Sequence, residues 1–260
     1  MKPPRYKVIF FDIDGTLVSF RTHRIPGSTL KAVHSARQQG VKVFIATGRP
    51  LPFIDNLGAL EYDGIISFTG AHCQLTDGTV IAQHTIDPQD VERMVRYLED
   101  HAMPTAFAFA DEVFTTPGNE VSRQVYQLLD LTPPRQGHPT EALGKPVLQI
   151  ISFFTEEQET EIMGQVLTHC EAQRWHPTFA DVIALGNSKS SGIDSVLQYF
   201  GIELSEAMAF GDGGNDKDML QHVGFGIAMG NASDEVKACA RYVTTSVDED
   251  GVARALDLFL

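Results

Sequence analysis

Short apolar runs alternate with amphipathic stretches over the first third of the chain. The first run stops at Asp12, and the stretch that follows has apolar residues at helical spacing, with Ser28 as the predicted N-cap and Gly40 just past the predicted end. Three runs have the character of buried strands: Tyr6–Phe11, Val41–Ile45 and Gly64–Phe68. Because strands separated by helices usually pair in parallel, this region predicts a parallel sheet covered by helices.

The pattern changes in the middle of the chain. Asp77-Gly78 lies between two short apolar pieces and predicts a β-hairpin, and a helix is predicted to begin at Pro88 with Asp87 as its N-cap. The further elements predicted here are strands at Thr105–Phe109, Val113–Thr116, Val147–Phe154 and Phe179–Leu185, and helices at Val121–Leu131 and Glu157–Cys170. This mixture of elements is typical of a separate α+β unit.

After Gly186 the first pattern returns, with a helix and then a strand over Ala207–Phe210. The sequence therefore predicts an α/β fold: a doubly wound, Rossmann-like core with a parallel sheet, plus an inserted α+β cap domain. Residues 1–83 and 186–260 form the predicted core, and residues 84–185 form the predicted cap. A chain of 260 residues is long enough for this arrangement.

The composition and net charge indicate which kinds of molecule this chain is suited to bind. Hydrophobic residues make up 43% of the chain and charged residues 21%, which is typical of a soluble globular protein. The net charge of −14 argues against nucleic acid or an anionic membrane as a partner, so an anionic substrate needs a local cation. No apolar run is long enough to span a membrane, and the N-terminus does not resemble a signal peptide. Three scattered cysteines favour a reducing, cytoplasmic setting.

Two carboxylates stand at the end of the first predicted strand. Side chains alternate along a strand, so Asp12 and Asp14 are expected to leave it on the same side. Such a pair repels itself and usually needs a cation, a shared proton or both. The carboxyl edge of an open α/β sheet is also where ligands bind. The alternative is a simple Asp-Gly turn with a solvated neighbour.

A second acidic segment follows the strand that ends at Phe210. If this strand is a neighbour of the first, Asp212 and Asp12 can share a hard cation, and Mg²⁺ prefers a few carboxylates together with water and phosphate oxygens. Asp216, four residues further on, is predicted to hold the metal's waters or to anchor a lysine. The alternative for this segment is a glycine-rich surface loop.

Two further segments supply hydroxyl groups, amide groups and positive charge. Thr47-Gly48-Arg49 follows the second predicted strand, where a hydroxyl and backbone N–H groups suit phosphate oxygens and Arg49 can add a bidentate contact. Lys189 lies where the core pattern resumes and can offset the charge of carboxylates and phosphate. As an alternative, Thr47-Gly48-Arg49 is a turn with an exposed arginine, and Lys189 is an ordinary solvated lysine.

The four segments in this order resemble motifs I to IV of the haloacid dehalogenase (HAD) superfamily, and most closely its Cof-type, subclass IIB phosphatases. Ala228–Ala232 is similar to a further signature of that group. The resemblance covers the whole chain, including the position and size of the cap, and in detail is closest to the bacterial hexose-phosphate phosphatases. It implies a Mg²⁺-dependent phosphatase that acts on a small phosphorylated metabolite as a monomer or small homo-oligomer.

The resemblance also implies residue roles. Asp12 would be the nucleophile that forms an aspartyl-phosphate, and Asp14 would be the acid and base that protonates the leaving group and then activates water. The carboxylates of Asp12 and Asp212 and the main-chain carbonyl of Asp14 would hold Mg²⁺, with Asp216 in a supporting role. The residues that would bind phosphate or substrate are Thr47, Gly48, Arg49, Lys189 and Asn215.

Two positions depart from the family pattern, and the cap offers only weak signals. Where the family has Asn-Gly-Ala, this chain has Thr69-Gly70-Ala71, and Ser190 replaces the glycine after the motif lysine. The polar and aromatic groups predicted to contact a sugar are Trp175, His176 and Asp181. As an alternative, Trp175 is a buried residue in the core of the cap and Asp181 is a residue on the surface of the cap. A sugar phosphomutase and a non-catalytic metabolite-binding regulator remain alternative functions.

Overall fold

The computed structural model describes residues 5–128 and 131–260, apart from the side chains of residues 128, 175 and 176. The chain divides into two compact units. The first unit consists of Met1–Gly48, Ile54–Gln83 and Ser188–Leu260, and the second of Arg49–Phe53 and His84–Asn187. The inserted segment therefore begins after Gln83 and ends at Asn187, and the short segment that begins at Arg49 is grouped with it.

The described residues form both parallel and antiparallel strands. In chain order the strands are β1 (Val8–Phe11), β2 (Lys42–Ala46), β3 (Gly64–Ser67), β4 (His72–Leu75), β5 (Val80–Gln83), β6 (Thr105–Ala108), β7 (Val113–Thr115), β8 (Arg135–Gln136), β9 (Gln149–Ser152), β10 (Cys170–His176), β11 (Phe179–Ala184), β12 (Ala207–Gly211), β13 (Phe225–Ala228) and β14 (Tyr242–Val243). The α-helices are α1 (Gly27–Gln38), α2 (Pro88–Asp100), α3 (Glu120–Leu128), α4 (Glu156–Gln165), α5 (Lys189–Phe200), α6 (Lys217–His222), α7 (Asp234–Lys237) and α8 (Gly251–Phe259).

The sheet of the first unit has the strand order β14-β13-β12-β1-β2-β3-β4-β5 in the described chain. The pairs from β14 to β3 are parallel, whereas β4 and β5 add an antiparallel hairpin at one edge. All four residues of β1 are buried, as expected for a central strand covered on both faces. The predicted α/β class, parallel sheet and hairpin are confirmed, and β1 and β12 are direct neighbours.

The first helix begins differently from the prediction. Ser28 was predicted to be the N-cap of α1, but the helix starts two residues earlier than this prediction, at Gly27, with Pro26 in the N-cap position. The Ser28 hydroxyl donates to the Asp250 carboxylate, at 2.5 Å, instead of capping its own helix. A contact 222 residues away along the chain has therefore replaced a local one.

The second unit is built on a sheet with the order β10-β11-β9-β6-β7-β8 in the described residues, antiparallel except where β8 joins β7. Helix α2 is capped as predicted: the Asp87 carboxylate accepts a hydrogen bond from the Gln89 N–H, and Pro88 takes the first helical position. Its buried face packs in a core with apolar residues of β6, β9 and β11.

The prediction for residues 157–170 is wrong at its end. Helix α4 ends at Gln165, and Cys170 begins β10, a strand that the sequence pattern did not reveal. Two residues of α2 hold the intervening chain: Arg93 donates to the carbonyl of Val166, and the Asp90 carboxylate accepts the N–H of His169. None of the helices in the described chain combines the length and apolar character that crossing a membrane requires.

Candidate active site

The first unit brings three of the four sequence segments to one edge of its sheet. Strands β12, β1 and β2 are parallel neighbours, so their carboxyl ends lie side by side. The N–H of Asp12 continues this pairing by donating to the carbonyl of Phe210 at 3.0 Å. The segments that begin at Asp12, Thr47 and Asp212 therefore leave the same edge.

Three carboxylates meet there. One oxygen from each of Asp12, Asp212 and Asp216 lies within 4.8 Å of the others. Asp12 and Asp216 are buried, and Asp212 is half-buried. The metal ligands expected from the resemblance were Asp12, Asp212 and the main-chain carbonyl of Asp14. The first two carboxylates are brought together, and the contribution of the Asp14 carbonyl stays a prediction.

Lys189 reaches this cluster from the start of α5. The Ser188 hydroxyl accepts the N–H of Ser191 and so caps the helix, which places Lys189 at its first position. The lysine side chain is fully buried, and its Nζ donates to Asp12 Oδ1 at 2.6 Å and to Asp216 Oδ1 at 2.5 Å. A buried ammonium group without such partners would be strongly unfavourable, so the two carboxylates and the lysine stabilise one another.

Asp216 accepts hydrogen bonds through both of its carboxylate oxygens. Its Oδ1 accepts from Lys189, and its Oδ2 accepts the N–H groups of Asp212 and Gly213 at 2.9 and 2.8 Å. Asp12 differs, because among the described residues its carboxylate accepts a side-chain hydrogen bond through Oδ1 only, and Oδ2 keeps acceptor capacity for a ligand. Asp216 thus contacts the lysine, which was one of its two predicted roles, and its supporting role at the metal or in catalysis stays a prediction.

Asp212 is oriented by two residues to which sequence reasoning gave no role. Thr16 donates its hydroxyl to Asp212 Oδ1 at 2.8 Å, and Asn231 donates its amide to Asp212 Oδ2 and to the Gly15 carbonyl, both at 2.9 Å. A methyl group added at Gly15 would lie 2.1 Å from Asp212 Oδ2, so glycine is required there. The available signals were the Asp12–Thr16 motif and the Ala228–Ala232 signature, which contain these residues.

Burial and the neighbouring charges shift the pKa values of the groups in this cluster. Burial and then the neighbouring Asp216 raise the pKa of Asp12 well above its usual value, although Lys189 opposes this shift. Burial is also the main cause that raises the pKa of Asp212 to about 7, against the lowering effect of the Thr16 hydrogen bond. Burial would lower the pKa of Lys189, but Asp12 and Asp216 outweigh it, and the pKa is raised.

These observations fit a hard divalent cation. The donor set consists of carboxylate oxygens, the ligands that Mg²⁺ prefers, and three carboxylates meet here beside the single ammonium group of Lys189. A cation bound by Asp12 and Asp212 would supply the missing charge.

The phosphate-binding candidates are divided between the two units. Thr47 is buried, Gly48 is half-buried and Asn215 is exposed, and all three belong to the first unit. A methyl group added at Gly48 would lie 3.4 Å from the Asn215 amide nitrogen, so these two residues are close neighbours. Arg49 belongs to the second unit, where its guanidinium donates to the carbonyl of Phe53 at 3.1 Å.

The sequence matches the family of haloacid dehalogenase-like hydrolases over residues 9–256, which is almost the whole chain. The chain belongs to this family. The resemblance stated from the motifs is thereby confirmed, and the activity of this HAD hydrolase is that of a phosphatase.

Solved structures and a curated relative agree with this membership. The subclass IIB sugar phosphatase BT4131 is 43% identical, with a TM-score of 0.87 and coverage of 97% of this chain and 98% of that one. The phosphatase BT1666 from Bacteroides thetaiotaomicron is 37% identical, with a TM-score of 0.89 and coverage of 98% and 95%. YkrA of Bacillus subtilis (strain 168), which carries the provisional name of a phosphatase, is 35% identical over 256 residues, 96% of each chain.

The specificity candidates of this HAD phosphatase lie in the second unit. Asp181 is a half-buried residue of β11 that pairs with Gln173 of β10 and Ile151 of β9. The backbones of Trp175 and His176 belong to β10, and their side chains lie outside the described part of the structure. The predicted role of all three in sugar binding stays a prediction.

Proposed function

We propose that this HAD phosphatase hydrolyses small sugar phosphates, with hexose phosphates as the preferred class, through an aspartyl-phosphate on Asp12 and with Mg²⁺ as cofactor. The observation that carries the proposal is the position of the buried Lys189 ammonium between Asp12 and Asp216, beside the Asp212 carboxylate. In this arrangement Lys189 favours the ionised form of Asp12 against the opposing effects of burial and of the neighbouring carboxylates, and it orients Asp12 at the edge of the sheet where a phosphate dianion would bind.

In the first step a carboxylate oxygen of Asp12 attacks phosphorus while the bond from phosphorus to the sugar oxygen breaks. The negative charge that develops on the phosphoryl oxygens is met by Lys189, by the Thr47 hydroxyl and by the backbone N–H groups beside Gly48. Asp14 gives its proton to the departing sugar oxygen, so that a neutral alcohol leaves.

In the second step Asp14, now ionised, takes a proton from a water molecule, and the resulting oxygen attacks phosphorus. The acyl-phosphate bond breaks, inorganic phosphate leaves, and the Asp12 carboxylate is restored beside Lys189. A bound Mg²⁺, held by Asp12, Asp212 and the Asp14 carbonyl, would supply positive charge that lets a carboxylate and a phosphate dianion approach each other.

Recognition of the sugar requires groups beyond those that hold phosphate and metal. The first unit offers charged and hydroxyl groups suited to the phosphoryl group common to all substrates, so we assign the choice of sugar to the inserted second unit, including Asp181. The subclass IIB sugar phosphatase BT4131 among the similar structures supports a sugar phosphate as the substrate class. The cytoplasmic setting and the small oligomeric state stay predictions.

A screen of phosphate release tests this function directly. Purified protein is incubated with hexose, pentose and aryl phosphates, with Mg²⁺ or with a chelator, and inorganic phosphate is measured. We expect release from sugar phosphates, fastest for hexose phosphates, and only with Mg²⁺. Release that requires an added sugar bisphosphate, together with a positional isomer of the phosphorylated sugar as product, would indicate a mutase. Release that is unaffected by chelation would exclude the metal.

The contribution of Asp212 to the stability of the metal-free protein is expected to fall as the pH rises from about 4 to about 7. The pKa of Asp212 is raised to about 7 in the folded protein from 3.8, so the folded state binds more protons than the unfolded state within this window. Mg²⁺ competes with these protons, so it should stabilise the protein more at pH 7.5 than at pH 5.5.

Melting temperatures at the two pH values, with and without Mg²⁺, check this expectation. The increment at pH 7.5 should exceed that at pH 5.5 by at least about 3 °C, since 1 kcal/mol shifts the melting temperature of a domain of this size by ~2–4 °C. The Asp212→Asn variant is the control and should lose most of the difference. Equal increments at both pH values in the native protein would contradict the link between Asp212 and the metal.

Exchange of the second unit is expected to change substrate choice. Replacing residues 84–184 by the corresponding segment of a relative should alter which sugar phosphate has the highest kcat/KM, while dependence on Mg²⁺ remains. Within the native chain, Asp181→Ala should raise KM for hexose phosphates more than for a small aryl phosphate. A folded chimera that keeps the original ranking would place specificity in the first unit instead.

A further inference from the structure

The residues that follow β3 form a turn with a rare backbone conformation. Phe68 and Thr69 have φ angles of 52° and 53°, and Gly70 follows with 96°. Left-handed backbone is uncommon for any residue with a side chain, and for a β-branched residue such as threonine it is a genuine outlier. Backbone strain of this kind tends to occur at functional sites, where the surrounding structure holds it in place.

The turn is held between two parts of the candidate active site. The Thr69 N–H donates to the carbonyl of Thr47 at 3.1 Å, which ties the turn to the phosphate-binding segment after β2. On the other side, a methyl group added at Gly70 would lie 1.9 Å from the carbonyl oxygen of Ser188. The turn therefore packs directly against the start of the helix that carries Lys189, and both contacts keep Thr69 in its conformation.

The Thr69 hydroxyl faces the same small space as a predicted phosphate ligand. A methyl group added at Gly48 would lie 3.4 Å from Thr69 Oγ1 and 3.4 Å from the Asn215 amide nitrogen. Thr69 is only 2% exposed, yet its hydroxyl makes no hydrogen bond with another described residue. Its proton is thus available to an acceptor that enters beside Gly48 and Asn215.

We propose that Thr69 is a substrate-binding residue, whose hydroxyl donates a hydrogen bond to an oxygen of the phosphate group at this edge. The inference rests on the proposed phosphatase function, and adds a residue to which that function gave no role. The hydroxyl contacts an oxygen that is anionic in the substrate as well as in the transition state. Its loss should therefore raise KM and the dissociation constant for phosphate, with kcat close to that of the native protein.

A purely structural role makes different predictions. If the turn served only to reverse the chain from β3 into β4, residues that relieve the strain would be improvements at no functional cost. Glycine adopts left-handed backbone freely, and asparagine tolerates it better than threonine does. Thr69→Gly removes both the strain and the hydroxyl, whereas Thr69→Asn lessens the strain and keeps a hydrogen-bond donor.

The experiment measures binding of inorganic phosphate, by calorimetry in the presence of Mg²⁺, together with KM, kcat and melting temperature. For Thr69→Gly and Thr69→Val we expect phosphate affinity to fall and KM to rise by about 10- to 100-fold, the range for a hydrogen bond to a charged group. Thr69→Ser and Thr69→Asn should stay close to the native protein. Thr69→Gly should melt at the native temperature or above it, which separates loss of binding from loss of folding.

Thr76→Val is the matched control, because it removes an exposed threonine hydroxyl in the hairpin after β4. Native phosphate affinity and KM in a folded Thr69→Gly variant would overturn the inference, as would the absence of phosphate binding by the native protein. If affinity depends on Thr69 but no phosphate ester is hydrolysed, the proposed function fails and the inference stands. If hydrolysis is normal in every Thr69 variant, the inference alone fails.

Discussion

Replacement of Asp12 by asparagine is expected to abolish phosphatase turnover. The amide is close in shape to the carboxylate but is not a nucleophile, and no other carboxylate is held by Lys189 in the same way, since Asp216 has both oxygens engaged. We expect kcat to fall by at least about 10⁴-fold, the size of effect seen when one member of a catalytic set is removed.

The same variant should fold normally. Burial and neighbouring carboxylates raise the pKa of Asp12, so its charged form is less stable in the folded protein than in the unfolded chain. Because Asp216 still pairs with Lys189, a neutral side chain at residue 12 should leave the melting temperature of the metal-free protein near pH 7 unchanged or raised. Asp194→Asn, which removes an exposed carboxylate of α5 that binds His222, is the control and should keep full activity. A folded Asp12→Asn protein with substantial turnover would exclude the aspartyl-phosphate.

Replacement of Asp14 by asparagine is expected to slow the reaction most for substrates whose leaving group is poor. Asp14 leaves the end of β1 two residues after Asp12, the proposed nucleophile, and the three carboxylates that meet within 4.8 Å are those of Asp12, Asp212 and Asp216. A sugar alkoxide needs a proton as it departs, whereas a nitrophenolate does not. Phosphorylation by a hexose phosphate should therefore slow by about 10²–10⁴-fold, the usual effect of losing a general acid.

Single-turnover kinetics separate this step from the breakdown of the intermediate. With p-nitrophenyl phosphate the first step should be little affected in the Asp14→Asn variant, while release of phosphate in the second step slows because water activation is lost. Accumulation of phosphorylated protein with the aryl substrate would show directly that the second step has become slow. Equal slowing of the first step with the hexose phosphate and with p-nitrophenyl phosphate would show that Asp14 is not the general acid.

Local signals were sufficient for much of the fold. A continuous apolar run ending at Asp12 is a buried strand because burial on both faces leaves no polar alternation, and β1 lies in the middle of its sheet as that pattern predicts. Helix α2 formed as predicted because its N-cap Asp87, Pro88 and apolar face all favour the same helix.

Local signals failed where distant contacts compete with them. The helix predicted to continue to Cys170 ends at Gln165 because Arg93 and Asp90 of α2 bind the following backbone. Strand β10 was missed because it lies at the edge of its sheet, where polar residues such as Glu171 are tolerated and alternation is lost. Ser28 was misassigned as a cap because a hydroxyl that can cap a helix can equally bind a carboxylate far along the chain.

The sequence by itself determined the order of the segments, the residue types that can attack phosphorus, donate protons and hold a cation, and the strand ends on which they stand. Only the tertiary structure decided that Lys189 is buried between Asp12 and Asp216, that Thr16 and Asn231 orient Asp212, and that Thr69 occupies a strained turn beside Gly48. The physical reason is that these contacts join residues up to about 200 positions apart, and their burial and charge arise only when the strands pair and the helices pack.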